Sequence, residues 1–435
     1  MTTAACSTKR ARLAKASHEG EARAGRREPG KAECLFVYVV LLATAVIPGL
    51  KQNYNLLNQT EIQIFWSVSY VIAGRHLWVM REQVLPLVRR CAALWVLILL
   101  MFGSTVWSVE PDATIIDAIE LLGTTLIGLY VAARFSLADF LKIVAIVFAT
   151  AGSLSLVIVF FNPGWGRAYW GTGPWQGIYL DKNLLGASAS LAIVTQAALF
   201  TSVIGRARSF VAAGLVFAFI LLIGASSATA FVNCVIVLLA MLVASACRSP
   251  RFGGLARFAT VLGLASAIAA VVISGLTPDS VFNVIGRDPN LTGRTDFWPY
   301  LQQAISDRPL LGFGFNAFFQ SSTGNDYLSE YVVQAGGWTP YHAHNSYLQT
   351  LLDAGYVGLA MLIVLVVVSA INAIAYFARE RQFTNIWPLA IILFLSSTSY
   401  TETYYLDYNS LEWILFVAAI AYPLQRSAAV AAGAR

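Results

Sequence analysis

Apolar and polar positions along the chain fall in long alternating blocks. Twelve apolar segments stand at roughly 34–50, 60–80, 91–107, 113–133, 140–161, 184–204, 209–225, 227–246, 256–275, 345–377, 385–400 and 409–424. Most approach the ~20 residues that a helix needs to cross a bilayer core. The pattern predicts an all-α polytopic membrane protein of about twelve transmembrane helices, with one large loop between helices 9 and 10. Residues 1–33 are polar and close on Pro29-Gly30, a break signal, and read as a disordered basic tail. A cleaved signal peptide is the rival reading. Against it, the tail is long and Pro48-Gly49 is not a small-x-small cleavage site. The transmembrane domain is expected over 34–425, with a short tail at 426–435.

Composition agrees with burial in lipid. Of 435 residues, 57% are hydrophobic and 12% charged, where soluble domains carry roughly 25% charged residues. The net charge of +6 is not built as a nucleic-acid face. Eight basic residues, Lys9, Arg10, Arg12, Lys15, Arg23, Arg26, Arg27 and Lys31, lie in the tail, and most others fall in short connections. With the tail inside and sides alternating, Arg75, Arg81, Arg89, Arg90, Arg134, Lys142, Arg206, Arg208, Arg248, Arg251, Arg257, Arg379 and Arg381 all fall inside, as positive-inside topology requires. The connections 108–112 and 401–408 then face outward and carry Glu110, Asp112, Glu402 and Asp407. Both termini are expected in the cytoplasm. None of the five cysteines has metal-site spacing, and no disulfide framework is implied.

The alternation also turns the two longest connections, 162–183 and 276–345, outward. Both carry positive charge on the unexpected side: Arg167 and Lys182 in the first, Arg287, Arg294 and Arg308 in the second. Such charge suits an anionic ligand, although ordinary loop charge accounts for any one of these residues equally well. No Walker loop, dinucleotide fingerprint or Asp-x-Asp is present, so a nucleotide-bound donor finds no support.

Three motifs stand in order on this outer face. Trp175-Gln176-Gly177 leads into Lys182-Asn183-Leu184-Leu185-Gly186; Gly293-Arg294-Thr295-Asp296-Phe297-Trp298 precedes Arg308-Pro309-Leu310-Leu311-Gly312-Phe313-Gly314; and His342-Ala343-His344-Asn345 precedes Gly355 and Gly358. Together they resemble the O-antigen ligase and polysaccharide polymerase family, the first motif being similar to succinoglycan-type exopolysaccharide polymerases. Asp181 departs from that pattern, standing where His is frequent. The motifs cover about a quarter of the chain. The resemblance implies an inner-membrane enzyme with a periplasmic catalytic loop at 276–345. It would transfer glycan from a polyprenyl-diphosphate-linked oligosaccharide to a sugar hydroxyl, with inversion and without metal or other cofactor. The acceptor would be a growing glycan or lipid A core, and other polysaccharide-assembly proteins are possible partners.

The residue chemistry fits independently. Departure of a diphosphate calls for guanidinium groups, which bind phosphate bidentately and stay charged. Arg294 is the first candidate, with Arg308, Lys182 and Arg167 behind it. Asn183 and Asn345 fall where helix N-caps belong; plain capping accounts for them, and so would anion binding at a helix N-terminus. His344 suits the general base, since neutral imidazole accepts a proton near pH 7. His342 is a further substrate-side candidate, and a zinc reading of His-x-His lacks a third ligand. Asp117, Glu120 and Asp353 are intramembrane carboxylates for which catalysis and pairing with a loop arginine both stand open. A polymerase of lipid-linked repeat units is the leading expectation, a ligase to lipid A core the nearest rival. A transporter or flippase is the reading from another class, opposed by the lack of internal repeats.

Overall fold

A computed structural model describes residues 28–52, 55–248, 294–379 and 382–432, leaving out the side chains of Trp170, Arg248, Arg294, Thr295 and residues 426–432. The expected segment at 256–275 and the start of the large loop, with Arg287, lie outside these residues. The helices are α1 (Lys31–Gln52), α2 (Gln59–Val79), α3 (Arg81–Arg90), α4 (Ala92–Gly103), α5 (Pro111–Arg134), α6 (Leu137–Phe161), α7 (Lys182–Phe200), α8 (Gly205–Ala225), α9 (Ala228–Arg248), α10 (Arg294–Asp307), α11 (Ser322–Gln334), α12 (Ser346–Arg379), α13 (Trp387–Thr398) and α14 (Leu411–Ala432). Among the described residues there is no strand, only an isolated bridge between Arg167 and Trp175.

Eleven of the twelve expected segments fall on helices. Seven helices among the described residues are long and apolar enough to cross a membrane, and eight if Arg81–Arg90 and Ala92–Val106, bent by 82°, form one span. The bend is a finding: the basic connection at 81–90 is itself helical, carrying Arg89 and Arg90 in its last turn.

The core gathers around residues 185–199 of α7, α13 and residues 411–422 of α14, which are buried on nearly all sides. Trp387, Trp413, Phe394 and Phe416 are fully buried there. Close approach fixes the packing. At Gly128 of α5 an added Cβ would stand 2.7 Å from the Val417 side chain of α14, inside van der Waals contact. Near the end of the bundle where α5 terminates, Arg134 pairs with Glu33 at 2.7 Å. The other end collects the connections 104–110, 294–345 and 399–410, which meet at the N-terminus and break of α12, and 162–181, which bonds to the end of α8 through Gly224 O.

The described part of the large loop is a folded unit, not an open polar loop. Phe297, Leu301, Ile305, Phe313, Phe318 and Leu328 form its own apolar cluster with Leu351 and Leu352 of α12. It is moored to the bundle by backbone. Val109 N–H donates to the Phe313 carbonyl at 2.9 Å, and Phe315 N–H donates to Ser104 Oγ at 2.9 Å.

Helix α12 breaks at Ala354 and Gly355, where Gly355 has φ 61° and ψ −160°. This backbone region is essentially reserved for glycine. The break frees amide and carbonyl groups that buried backbone must satisfy elsewhere. The 309–314 segment supplies the partners. Pro309 O accepts from Tyr356 N–H at 2.7 Å and Leu310 O from Val357 N–H at 3.3 Å; Phe313 and Gly314 N–H donate to Leu352 O and Asp353 O at 2.6 and 3.1 Å. An added Cβ at Gly355 would collide with the backbone of Leu310, and one at Gly312 with Leu352 O. Two of the sequence motifs are thus halves of one joint.

Candidate active site

The joint carries the segment 341–346 into the N-terminus of α12. Ala343 is clamped on both sides: its N–H donates to Gln349 Oε1 at 3.0 Å, and its carbonyl accepts from Trp298 Nε1 at 3.0 Å. His344 follows with φ 48°, in the left-handed region. A non-glycine residue held there is a strained feature of the kind that clusters at functional sites. The residue as a whole is 7% exposed. The ring lies 3.9 Å from that of His342 and 6.5 Å from that of Phe297, centroid to centroid. His342 is half-buried, and its Nδ1 accepts the His344 backbone N–H at 3.0 Å. That bond requires an unprotonated Nδ1.

Asn345 is the cap of α12. Its Oδ1 accepts from Tyr347 and Leu348 N–H at 2.9 and 3.1 Å, a bond set worth about 1 kcal/mol. Ser346 pins a distant segment to the same helix end. Its Oγ accepts from Tyr404 and Tyr405 N–H at 2.8 and 3.1 Å, and its N–H donates to Ser399 O at 2.8 Å. The pinned segment brings a residue that sequence reasoning left as mere loop charge. Glu402 is buried, and its Oε2 stands 3.5 Å from His344 Nδ1.

The intramembrane carboxylates resolve into a hydrogen-bond network. Asp353 Oδ1 accepts from Gln349 Nε2 and Asn316 N–H, both at 3.0 Å. Asp117 Oδ2 accepts from Asn316 Nδ2 at 2.7 Å and Gln320 Nε2 at 2.9 Å. Glu120 Oε2 accepts from Asn409 Nδ2 at 2.9 Å. Pairing with a loop arginine, one of the two expectations, is replaced by these amides among the described residues. A relay of polar groups therefore links the residue before His344 to α5. Nearby Asp407 is pushed up to about 8, by burial and then by the charge of Glu412.

The first motif forms a second polar group. Trp175 N–H donates to Gly224 O at 2.9 Å, and the ring fills the space left by the missing Cβ of Gly224. Asp181, the departure from the family pattern, caps α7, accepting from Asn183 and Leu184 N–H at 2.6 and 3.1 Å. This corrects the expectation for Asn183, which lies one residue inside the helix and whose Oδ1 accepts from Ser227 Oγ at 3.0 Å. A carboxylate captures two adjacent N–H groups more strongly than a carboxamide, so the cap moves back to Asp181. Lys182 opens α7, half-buried. Arg167 is half-buried with Nε enclosed and without a hydrogen-bond partner.

Helix α9 bridges the two groups. Ser227 stands at its start, and Asn233, about 9 Å farther along, donates to Thr398 Oγ1 at 3.1 Å, next to Ser399. His344, His342, Asn345 and Glu402 are thus brought together; Asn183, with Lys182 beside it, meets the start of α9, and Arg167 pairs with Trp175 in the isolated bridge. Arg308 is exposed, its guanidinium 5.0 Å over the Phe313 ring. Arg294 opens α10, four residues before Trp298, whose ring N–H turns back to Ala343, and its side chain lies outside the described residues.

Residues 213–363 match the family model described as O-antigen ligase. The exopolysaccharide production protein ExoQ of Rhizobium meliloti (strain 1021) is 28% identical over 233 residues, 52% of this chain and 51% of that protein. The putative polysaccharide ligase RP358 of Rickettsia prowazekii (strain Madrid E) is 32% identical over 82 residues, 19% of this chain and 20% of its own. The putative polysaccharide ligase of Rickettsia bellii (strain RML369-C) is 25% identical over 118 residues, 27% of this chain and 28% of its own. The chain therefore spans about half the length of the first of these relatives and less of the others. The resemblance read from the motifs is borne out over residues 213–363, which match the O-antigen ligase model.

Proposed function

We propose that this membrane protein with an O-antigen ligase domain joins polyprenyl-diphosphate-linked oligosaccharide repeat units into exopolysaccharide or O-antigen, at the periplasmic face of the bacterial inner membrane. The observation that carries the reading is the buried, conformationally constrained His344 at the mouth of α12. An imidazole so held is a general base for the acceptor hydroxyl. As that oxygen attacks the anomeric carbon, its proton passes to the ring. The sugar–diphosphate bond breaks with inversion, and polyprenyl diphosphate departs with the bonding electrons. Cationic Arg294, Lys182, Arg167 and Arg308 stabilise the departing anion, a role for which guanidinium forks are suited. The N-terminus of α12 adds its dipole. No metal or cofactor enters this scheme.

Polymerisation is favoured by the exopolysaccharide production for which the Rhizobium relative is named and by the Lys182-Asn183 motif. A ligase reaction, transferring the same glycan to lipid A core, is the second reading, favoured by the ligase names of the family and of the Rickettsia relatives. Purified protein supplied with lipid-linked oligosaccharide is expected to release polyprenyl diphosphate and build chains of two or more repeats. A parallel reaction with lipid A core separates the readings: product on the core alone favours the ligase. Movement of intact lipid-linked oligosaccharide across a bilayer with no new glycosidic bond contradicts both.

A further inference from the structure

We infer that Glu402 is the positioning carboxylate of His344, holding the imidazole with Nδ1 protonated so that Nε2 faces the acceptor. The inference deepens the proposed function and rests on it. Glu402 Oε2 lies 3.5 Å from His344 Nδ1, with both side chains 9% exposed. A contact of this length in an enzyme without substrate tightens when the acceptor docks. Of the two ring nitrogens, the one that meets a carboxylate carries the proton, which leaves the other as the base. The same arrangement of base and orienting group recurs wherever an imidazole activates a hydroxyl.

The fold holds Glu402 as firmly as His344. Its N–H donates to Thr398 O at 3.0 Å, and its carbonyl accepts from Ser346 N–H and Ser346 Oγ, both at 3.2 Å. Ser346 is fully buried and stands two residues after the base. One serine therefore ties the carboxylate's backbone to the histidine's backbone. On the other face of the ring, the short distance to His342 and the Phe297 edge leave the imidazole little freedom to turn.

His342 and Tyr341 from its own segment and Glu402 from 399–410 are titratable groups that face His344, and α10 presents the Phe297 ring. Removing the Glu402 charge therefore changes the protonation of the base. A neutral amide no longer favours the imidazolium, so the acidic limb of the pH–rate profile moves to lower pH. A residue that only props up the loop leaves that limb in place.

The test uses the full chain in lipid nanodiscs with a polyprenyl-diphosphate oligosaccharide, following release of polyprenyl diphosphate between pH 5 and 9. Glu402→Gln is expected to lower kcat about 10²-fold, to shift the acidic limb to lower pH and to leave KM for the donor within threefold. Glu402→Asp retains the charge but withdraws it by one methylene, and is expected to recover part of kcat. A Glu402→Gln enzyme within twofold of wild type overturns the inference, and so does a loss of kcat with the limb unmoved. If Glu402→Gln does not accumulate, Glu402→Asp decides: wild-type kcat with an unmoved limb overturns the inference, and a fall of about tenfold with a moved limb supports it. His344→Ala in parallel keeps the two readings apart. Full turnover by that variant defeats the proposed function itself, whereas an inert His344→Ala beside an unaffected Glu402→Gln defeats only the role of Glu402.

Discussion

His344 was legible because a motif surrounds it; Glu402 was not, because its link to the site runs through a segment 56 residues beyond Ser346. No local spacing signals such a partner. Only the excess of carboxylates in the connection 401–408 hinted at it, and topology accounted for those. The cap of α7 was misread for a related reason: sequence places caps to within a residue or two, and Asp181 outcompetes its neighbour Asn183. Two expectations belong to this scale. Arg294→Lys keeps the charge but loses the bidentate fork, so polyprenyl diphosphate release should fall by at least about tenfold while the protein still accumulates in membranes. Near-normal rates in both Arg294→Lys and Arg294→Ala would remove this residue from the site. Asp407 supplies a pH dependence. Its carboxyl is raised to about 8 in the folded protein by burial and Glu412, whereas an unfolded chain releases that proton near pH 4. Between these values the native state binds the extra proton, so its stability contribution declines as pH rises through the window. Asp407→Asn is therefore expected to flatten the fall in Tm between pH 5 and 8, and an unchanged slope would contradict the assignment.

The helices themselves were the most legible elements, since bilayer-length apolar blocks leave few alternatives. What the blocks could not reveal is the joint at Gly355. The break lies inside the single apolar segment 345–377, and the freed backbone groups are satisfied by Pro309, Leu310, Phe313 and Gly314, far away in sequence. Nor could polarity reveal that 294–345 folds on its own aromatic cluster. The joint makes a stability prediction. Gly355→Ala meets both a positive φ and the backbone of Leu310, and should lower stability by more than the ~1–3 kcal/mol of backbone strain alone. Gly205→Ala is the comparison, because Gly205 has φ +58° with open space around it. Thermal unfolding followed by fluorescence size-exclusion should rank Gly355→Ala well below Gly205→Ala; equal Tm values would mean that the joint yields.

Across the whole molecule, charge alternation and motif order pointed to one working end, and the connections gathered there by hydrogen bonds agree with that reading. The side of the membrane on which this end lies is tested at Ser322, the exposed first residue of α11. In a chain cleared of its five cysteines, a cysteine at Ser322 should react with a membrane-impermeant thiol reagent in cells with a permeabilised outer membrane. Labelling only after the inner membrane is opened would reverse the topology and move the reaction to the cytoplasm. The central claim is chemical, that His344 accepts the acceptor proton during glycosyl transfer, and the most direct measurement is single-turnover glycosidic bond formation by His344→Gln on bound lipid-linked oligosaccharide. Glutamine preserves size and some hydrogen bonding but accepts no proton at neutral pH, so the rate should fall by about 10² to 10⁴ while donor binding stays intact. A His344→Gln protein that forms the bond at the wild-type rate would contradict general-base catalysis at this site.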